Sequence, residues 1–187
     1  MASLEKRHCA LLIIDMQEYF RSFIELILSD IKQLIHCCRQ ADVPVIFTRH
    51  AHQNPIESGG MLAKWWDELI IDGTPQAEIL SEIKPLPIEK IIHKNRYSAF
   101  FRTDLDNYLQ QHKIHQLIIG GVMTNLCCET TARDAFVHDY EVFFLKDGTA
   151  TSNKEFQQAT LLNLSFGFAQ IVTCQEIYNV INEREIF

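Results

Sequence analysis

Residues able to do acid–base or nucleophilic work stand at the ends of apolar runs in this sequence. They are an acid in LLIIDMQ (Asp15), two imidazoles in FTRHAHQ (His50 and His52), an amine in IIHKNRY (Lys94) and two adjacent thiols in GGVMTNLCCETT (Cys127 and Cys128). A thiol attacks only as thiolate, and its pKa falls at a helix N-terminus or beside a cation. Both cysteines open a helical pattern that Thr124 or Asn125 could cap. Unpaired N–H groups at such a helix start also suit an oxyanion. Neighbouring residues point in different directions, and free cysteine is also a common core filler. Helix phase therefore leaves open which thiol reacts, or whether either does.

A carboxylate at the end of an apolar strand is costly unless paired or set in a cleft. Asp15 would serve as the base that accepts a thiol proton and later returns it to a leaving group, or as a cap or ion-pair partner. Lys94 would supply a cation to a thiolate or oxyanion, or simply extend its stem to water. The pair His50 and His52 shares one side of an extended segment but makes only half a zinc site. Loop imidazoles touching substrate are the preferred reading, with no metal. The aromatics Phe20, Trp65, Trp66, Tyr97, Phe100 and Phe101 fall in loops near these residues, where some could line a pocket. Phe20, His50, His52, Tyr97 and Phe100 are the expected substrate contacts.

The elements that must position this set are short β-rich runs alternating with helical patterns. Strands are expected at 9–15, 43–49, 89–94, 115–121, 140–146 and 169–173. Helices are expected at 20–41, 61–70, 75–83, 103–112, 124–138, 153–165 and 174–182. Phe23, Ile27, Ile31, Leu34 and Cys38 recur at the three-to-four spacing of a helix lying on a sheet. Nearly all-apolar strands separated by helices imply a parallel sheet covered on both faces. The expected fold is a three-layer α/β/α domain, Rossmann-like, with a mostly parallel six-stranded sheet. Ligands bind such sheets outside the carboxyl ends of the strands, near the point where strand order reverses. That rule gathers Asp15, His50, Lys94 and the cysteine pair at one edge, while Asp147 reads as a turn or capping residue.

At 187 residues the chain suits one domain, 1–187, able to bury roughly 70% of its unfolded surface. Apolar residues make up 47% and charged residues 22%, which excludes a disordered profile. A net charge of -7 gives no footprint for nucleic acid or anionic membrane. Asp15 cuts the first apolar run well short of a signal peptide, and no segment has transmembrane length. The six cysteines lie mostly within elements, without a CxxC pair, and read as reduced cytoplasmic thiols. A small-molecule substrate, no cofactor and self-association are the expected associations.

Three stretches in order, LLIIDMQEYF, KNRYSAFFRTDLD and GGVMTNLCCETTARDA, resemble the isochorismatase-like cysteine hydrolases, which include nicotinamidases, N-carbamoylsarcosine amidases and ureidoacrylate amidases. The resemblance runs through nearly the whole chain and implies an isochorismatase-type fold. It implies a triad of Asp15, Lys94 and Cys127, with Cys128 in the place of an apolar residue that faces the core. It further implies a cis peptide between Val122 and Met123, an oxyanion hole from the N–H groups of Met123 and Cys127, and a homodimer or homotetramer. Nicotinamidases hold their metal with an Asp-x-His pair and a further histidine; Arg49 and His50 stand where that pair would begin. The implied reaction is hydrolysis of a C–N bond in a small amide, urea or carbamate through a thioester. Isochorismatase-type cleavage of a vinyl ether is the alternative, since DMQEYF and RYSAFF also look like those members, which lack the cysteine. A catalytically idle binding protein on the same fold is a second alternative, against which the complete triad argues.

Overall fold

The computed structural model describes residues 3–183. In chain order it contains strand β1 (Cys9–Ile14), helices α1 (Arg21–Ile24) and α2 (Leu28–Gln40), and strand β2 (Val45–His50). Two single-turn helices, α3 (Pro55–Ser58) and α4 (Leu62–Trp65), precede β3 (Lys90–Lys94) and α5 (Leu105–Gln111). Then come β4 (Gln116–Val122), a π-helical turn (Thr124–Cys128) running into α6 (Glu129–Val137), β5 (Glu141–Ala150), α7 (Lys154–Gly167), β6 (Gln170–Val172) and α8 (Cys174–Asn182).

All six expected strands are present, and every pairing is parallel in the order β3-β2-β1-β4-β5-β6. The chain starts at the centre, runs outward to β3, then returns to the other side of β1, so strand order reverses between β1 and β4. Alternate residues feed two cores, as the period of two requires. Leu11, Ile13, Val45, Phe47 and Ile118 meet Ile31, Leu34 and Ile35 of α2 and Ile177 of α8 on one face. Leu12, Ile14, Ile46, Leu117 and Ile119 meet Leu105, Leu109, Ala132 and Leu164 on the other. This is the three-layer architecture. The central strands β1 and β4 are buried along their whole length. They approach so closely that a Cβ at Gly121 (φ 119°) would lie 2.1 Å from the carbonyl oxygen of Ile14.

Three expected helices differ. The one over 20–41 is interrupted between Ile24 and Leu28; Ile24, Ile27 and Ile31 all reach the core across the break, and the half-buried Phe23 packs against it. The one over 61–70 is a single turn, because Ile70 and Asp72 pair their backbones with His52. The one over 75–83 is two short 3-10 turns flanking residues 78–80, which pair with Met16 and Glu18. In both later segments, extended pairing to the loop leaving a central strand outcompetes local helix propensity. Asp147 accepts the N–H of Cys174 at 2.8 Å and helps to start α8.

Candidate active site

Asp15 is the first residue after β1, and β1 ends beside the strand-order reversal. Its φ of 46° lies in the left-handed region that Asp tolerates better than most residues. Its carbonyl accepts the N–H of Gln17 at 2.8 Å, which turns the chain sharply out of the sheet. Gln17, itself buried, then stitches this exit to its neighbours. Its amide donates to the carbonyls of His50 (2.9 Å) and Ala77 (2.8 Å), and its Oε1 accepts the N–H of His50 at 2.7 Å. Parallel register sets His50 beside Lys94 and Ile13 beside Phe47, bringing Asp15, His50 and Lys94 level at the carboxyl edge.

The Asp15 carboxylate is inaccessible to solvent. Thr48, the single polar residue within the buried run VIFT of β2, donates its hydroxyl to Oδ1 at 2.5 Å and accepts the Asp15 N–H at 2.9 Å. Oδ2 lies 2.6 Å from the Lys94 ammonium, with both side chains fully buried. That contact is an ion pair rather than a well-aimed hydrogen bond, so Oδ2 keeps acceptor capacity for another donor. The ammonium also donates to the carbonyls of Arg96 (2.9 Å) and Tyr97 (3.2 Å). Burial alone would push the Lys94 pKa down, but the Asp15 charge and the Cys127 sulfur carry it above its ordinary value. An ion pair removed from water holds together only when its remaining hydrogen bonds are supplied, as they are here.

Cys127 completes the contact and lies within hydrogen-bonding reach of both Asp15 and Lys94. It sits in the π-helical turn Thr124–Cys128 rather than the first turn of an ordinary α-helix, and Met123 precedes the turn without any side-chain cap. The expected capping by Thr124 or Asn125 is thus absent. Instead Asn125 Oδ1 accepts the Thr151 hydroxyl at 2.5 Å, which ties the turn to the end of β5. Single π turns recur at functional sites because the extra residue re-aims side chains. Met123 anchors this one, its carbonyl accepting the N–H groups of Leu126 (3.1 Å) and Cys128 (3.2 Å). The Val122–Met123 peptide is cis.

The two thiols have different surroundings. Burial pushes the Cys127 pKa up to about 12, with Lys94 pulling it down and Asp15 pushing it further up. The resting thiol is therefore protonated and aimed at an acceptor. Cys128 is wholly buried in the core between β4 and α6, and burial raises its pKa well above that of an ordinary thiol.

Above Cys127 opens a cavity of about 550 Å³. Its walls carry the aromatic side chains of Tyr19, Phe20, Phe23, Trp66 and Tyr97 and the aliphatic ones of Leu62, Leu69, Ile70 and Leu126; His50 and Met123 contribute near the floor, and Asp67, Glu68 and Ser152 also line it. Trp66 Nε1 donates to the Tyr97 hydroxyl at 2.8 Å, linking the wall formed by residues 62–70 to the loop after β3. Of the expected substrate contacts, Phe20, His50 and Tyr97 line this cavity. His52 does not: it is fully buried behind His50, with ring centroids 5.3 Å apart, and its Nδ1 meets the Ser58 hydroxyl at 3.0 Å. Phe100 does not either; it stacks on His138 (5.0 Å) and packs against Tyr140 in the core. The loop turns it inward because Ala99 N–H is held by the buried Thr131 hydroxyl of α6 at 3.0 Å. Thr48, Gln17, Phe23, Asp67 and Glu68 were not foreseen from sequence, although a polar residue within a buried apolar run is a readable signal for the first.

Burial, then the Lys94 charge, lowers the His50 pKa to about 4, so its imidazole is neutral near pH 7. Burial and the Arg96 charge lower that of His52. Arg49 is held by Asp72 at 2.6 Å and Glu78 at 2.9 Å, and among the described residues no three His, Cys, Asp or Glu side chains converge as ligands.

An acid, an amine and a thiol in mutual contact beneath an aromatic cavity, at the strand-order reversal of a parallel α/β sheet, are the equipment of a nucleophilic hydrolase. A family profile described as Isochorismatase domain matches residues 9–176. Nicotinamidase 3 of Arabidopsis thaliana is 47% identical over 171 residues, covering 90% of this chain and 86% of that relative. Ureidoacrylate amidohydrolase RutB of Serratia proteamaculans is 29% identical over 203 residues, covering 92% and 82%. The crystal structure of a cysteine hydrolase from Pseudomonas syringae pv. phaseolicola superposes with a TM-score of 0.91 at 27% identity, covering 95% of this chain and 94% of that one. The chain belongs to the isochorismatase family, as one of its cysteine hydrolases.

Proposed function

We propose that this protein hydrolyses the C–N bond of a small amide, urea or carbamate, with Cys127 as nucleophile, Asp15 as proton acceptor and donor, and Lys94 as the fixed charge between them. The observation that carries the reading is the buried contact of these three groups on the floor of the cavity. Asp15 Oδ2 takes the Cys127 proton as the sulfur bonds to the carbonyl carbon. The oxyanion is held by the N–H groups of Met123 and Cys127, at the entry to and within the π-helical turn. Collapse breaks the C–N bond, and the amine leaves with the proton from Asp15. Water, activated by the same carboxylate, then hydrolyses the thioester. The relatives named for nicotinamide and ureidoacrylate hydrolysis support a nitrogen leaving group. A vinyl ether is cleaved after proton donation to carbon and offers a thiol nothing to attack.

Rapid-quench mass spectrometry on an amide substrate should detect an acyl adduct on Cys127. Efficient vinyl ether cleavage that survives Cys127→Ala would overturn the reading.

The whole chain, residues 1–187, is read as one such domain acting in the cytoplasm as a homodimer or homotetramer. Six cysteines, all free and buried, support a reducing compartment. The exposed Phe136 and Val137 of α6 and Leu162 and Phe166 of α7 support self-association. Light scattering on the purified chain tests the assembly.

A further inference from the structure

The cavity above Cys127 holds two carboxylates and no side chain that carries an uncompensated positive charge. Asp67 and Glu68 line it, and no lysine or arginine does. Among the described residues neither acid has an ion-pair partner. The Lys94 ammonium, which does not line the cavity, has its charge matched by Asp15 at 2.6 Å. His50, the one basic side chain in the lining, is 8% exposed and has a buried Nδ1 without a hydrogen-bond partner. Its depressed pKa keeps it uncharged, so it offers dipole and lone pair but no cation. The remaining wall is apolar, and Tyr19, Phe20, Trp66 and Tyr97 supply aromatic rings, which attract cations and accommodate flat neutral groups.

A carboxylate entering this space would meet two like charges and no guanidinium or ammonium to replace its lost water. A neutral planar acyl group would lose little, and a cationic one would gain from both acids. We propose that Asp67 and Glu68, with no opposing cation in the cavity, make this site a charge filter that admits neutral or cationic amides and rejects those whose acyl part carries a carboxylate. The proposal rests on the amidase reading above and narrows its substrate class. It separates this chain from relatives named for ureidoacrylate, whose acrylate is a carboxylate.

Three planar aromatic amides provide the test: pyridine-3-carboxamide (neutral), 3-carbamoyl-1-methylpyridinium (cationic) and 3-carboxybenzamide (anionic). Their binding to Cys127→Ala protein, measured by calorimetry, reads the filter without turnover. The neutral and cationic probes should bind at least about tenfold more tightly than the anionic one, by the Coulomb energy of two partly screened charges. Adding Asp67→Asn and Glu68→Gln, isosteric changes at exposed positions, should narrow the cationic-to-anionic ratio by about tenfold or more. Raising the salt concentration should narrow it too. An anionic probe that binds as well as the others, or a ratio untouched by the double substitution, would overturn the proposal. Absence of a Cys127 adduct in active protein would instead count against the amidase reading, so the two failures are distinguishable.

Discussion

The floor of the site and its wall are built on opposite principles. The floor is made at strand ends: Asp15, Thr48 and Lys94 sit on three adjacent parallel strands, are buried and satisfy one another, with Cys127 held against them by the turn after a fourth strand. The wall is residues 62–70, a single helical turn followed by extended chain, with Trp65 72% and Trp66 44% exposed. Few interactions tie it down, among them the Trp66–Tyr97 hydrogen bond and the pairing of Ile70 with His52. Register fixes the floor to within a residue, because a slip of one would turn every side chain to the other face. Nothing comparable constrains the wall. On the proposed reading, chemistry rests on the part that cannot move without unfolding, and selectivity on the part that can change without cost to the sheet.

The comparison breaks most sharply at the two thiols. Cys127→Ala should lower kcat/KM by about a thousandfold or more, since nothing else on the floor can form the covalent bond. Cys128→Ala should stay within a few-fold of the parent and show only the modest stability loss of a small core truncation. Steady-state kinetics on folded protein decides it; the reverse ranking would move the nucleophile to Cys128.

Lys94→Met tests whether the floor is one unit. It leaves Asp15 buried without its cation, which should lower unfolding free energy by about 3–5 kcal/mol in urea titrations and activity by at least about a hundredfold. Adding Asp15→Asn should restore much of the stability but none of the activity. If the double variant stays as unstable as the single one, the cost lies in packing rather than in the unpaired charge.

His50 joins floor to wall and should leave a mark on the pH dependence of stability. Its pKa falls from 6.5 to about 4 on folding. The unfolded chain therefore binds more protons between these values, and stability is complete above pH 6.5 and lost progressively as pH falls towards 4. At pH 5 the loss from this residue should be about 2 kcal/mol, at 1.36 kcal/mol per pKa unit. His50→Gln should flatten that part of the profile; an unchanged slope would place the effect on other groups.

Trp66→Ala should give the smallest structural signal. Unfolding free energy should shift by under about 1 kcal/mol because the ring is half exposed and loses one hydrogen bond. KM should rise about tenfold with kcat nearly constant, the signature of lost uniform binding. A fall in kcat with KM unchanged would show that the wall positions the reacting bond and would erase the distinction drawn above.

Much of this was legible in the sequence. Apolar runs alternating with helical stripes determined the six strands and the layered fold, because burial on two faces leaves no other periodicity. The general rule that such sheets bind ligands at strand carboxyl ends gathered Asp15, Lys94 and the cysteine pair, and motif resemblance singled out Cys127. Only tertiary structure decided the rest. Helix phase could not separate Cys127 from Cys128, because the chain enters α6 through a π turn whose extra residue shifts the phase. Phe100 and His52 have the residue types of pocket contacts, yet a hydrogen bond from Ala99 to Thr131 turns one into the core and His50 screens the other. The wall over 62–70 reads as a helix and is mostly not one, since backbone pairing with His52 holds its end extended. Local patterns record what a segment prefers alone; they do not record which distant backbone or side chain will compete for it, and at this site that competition sets the shape.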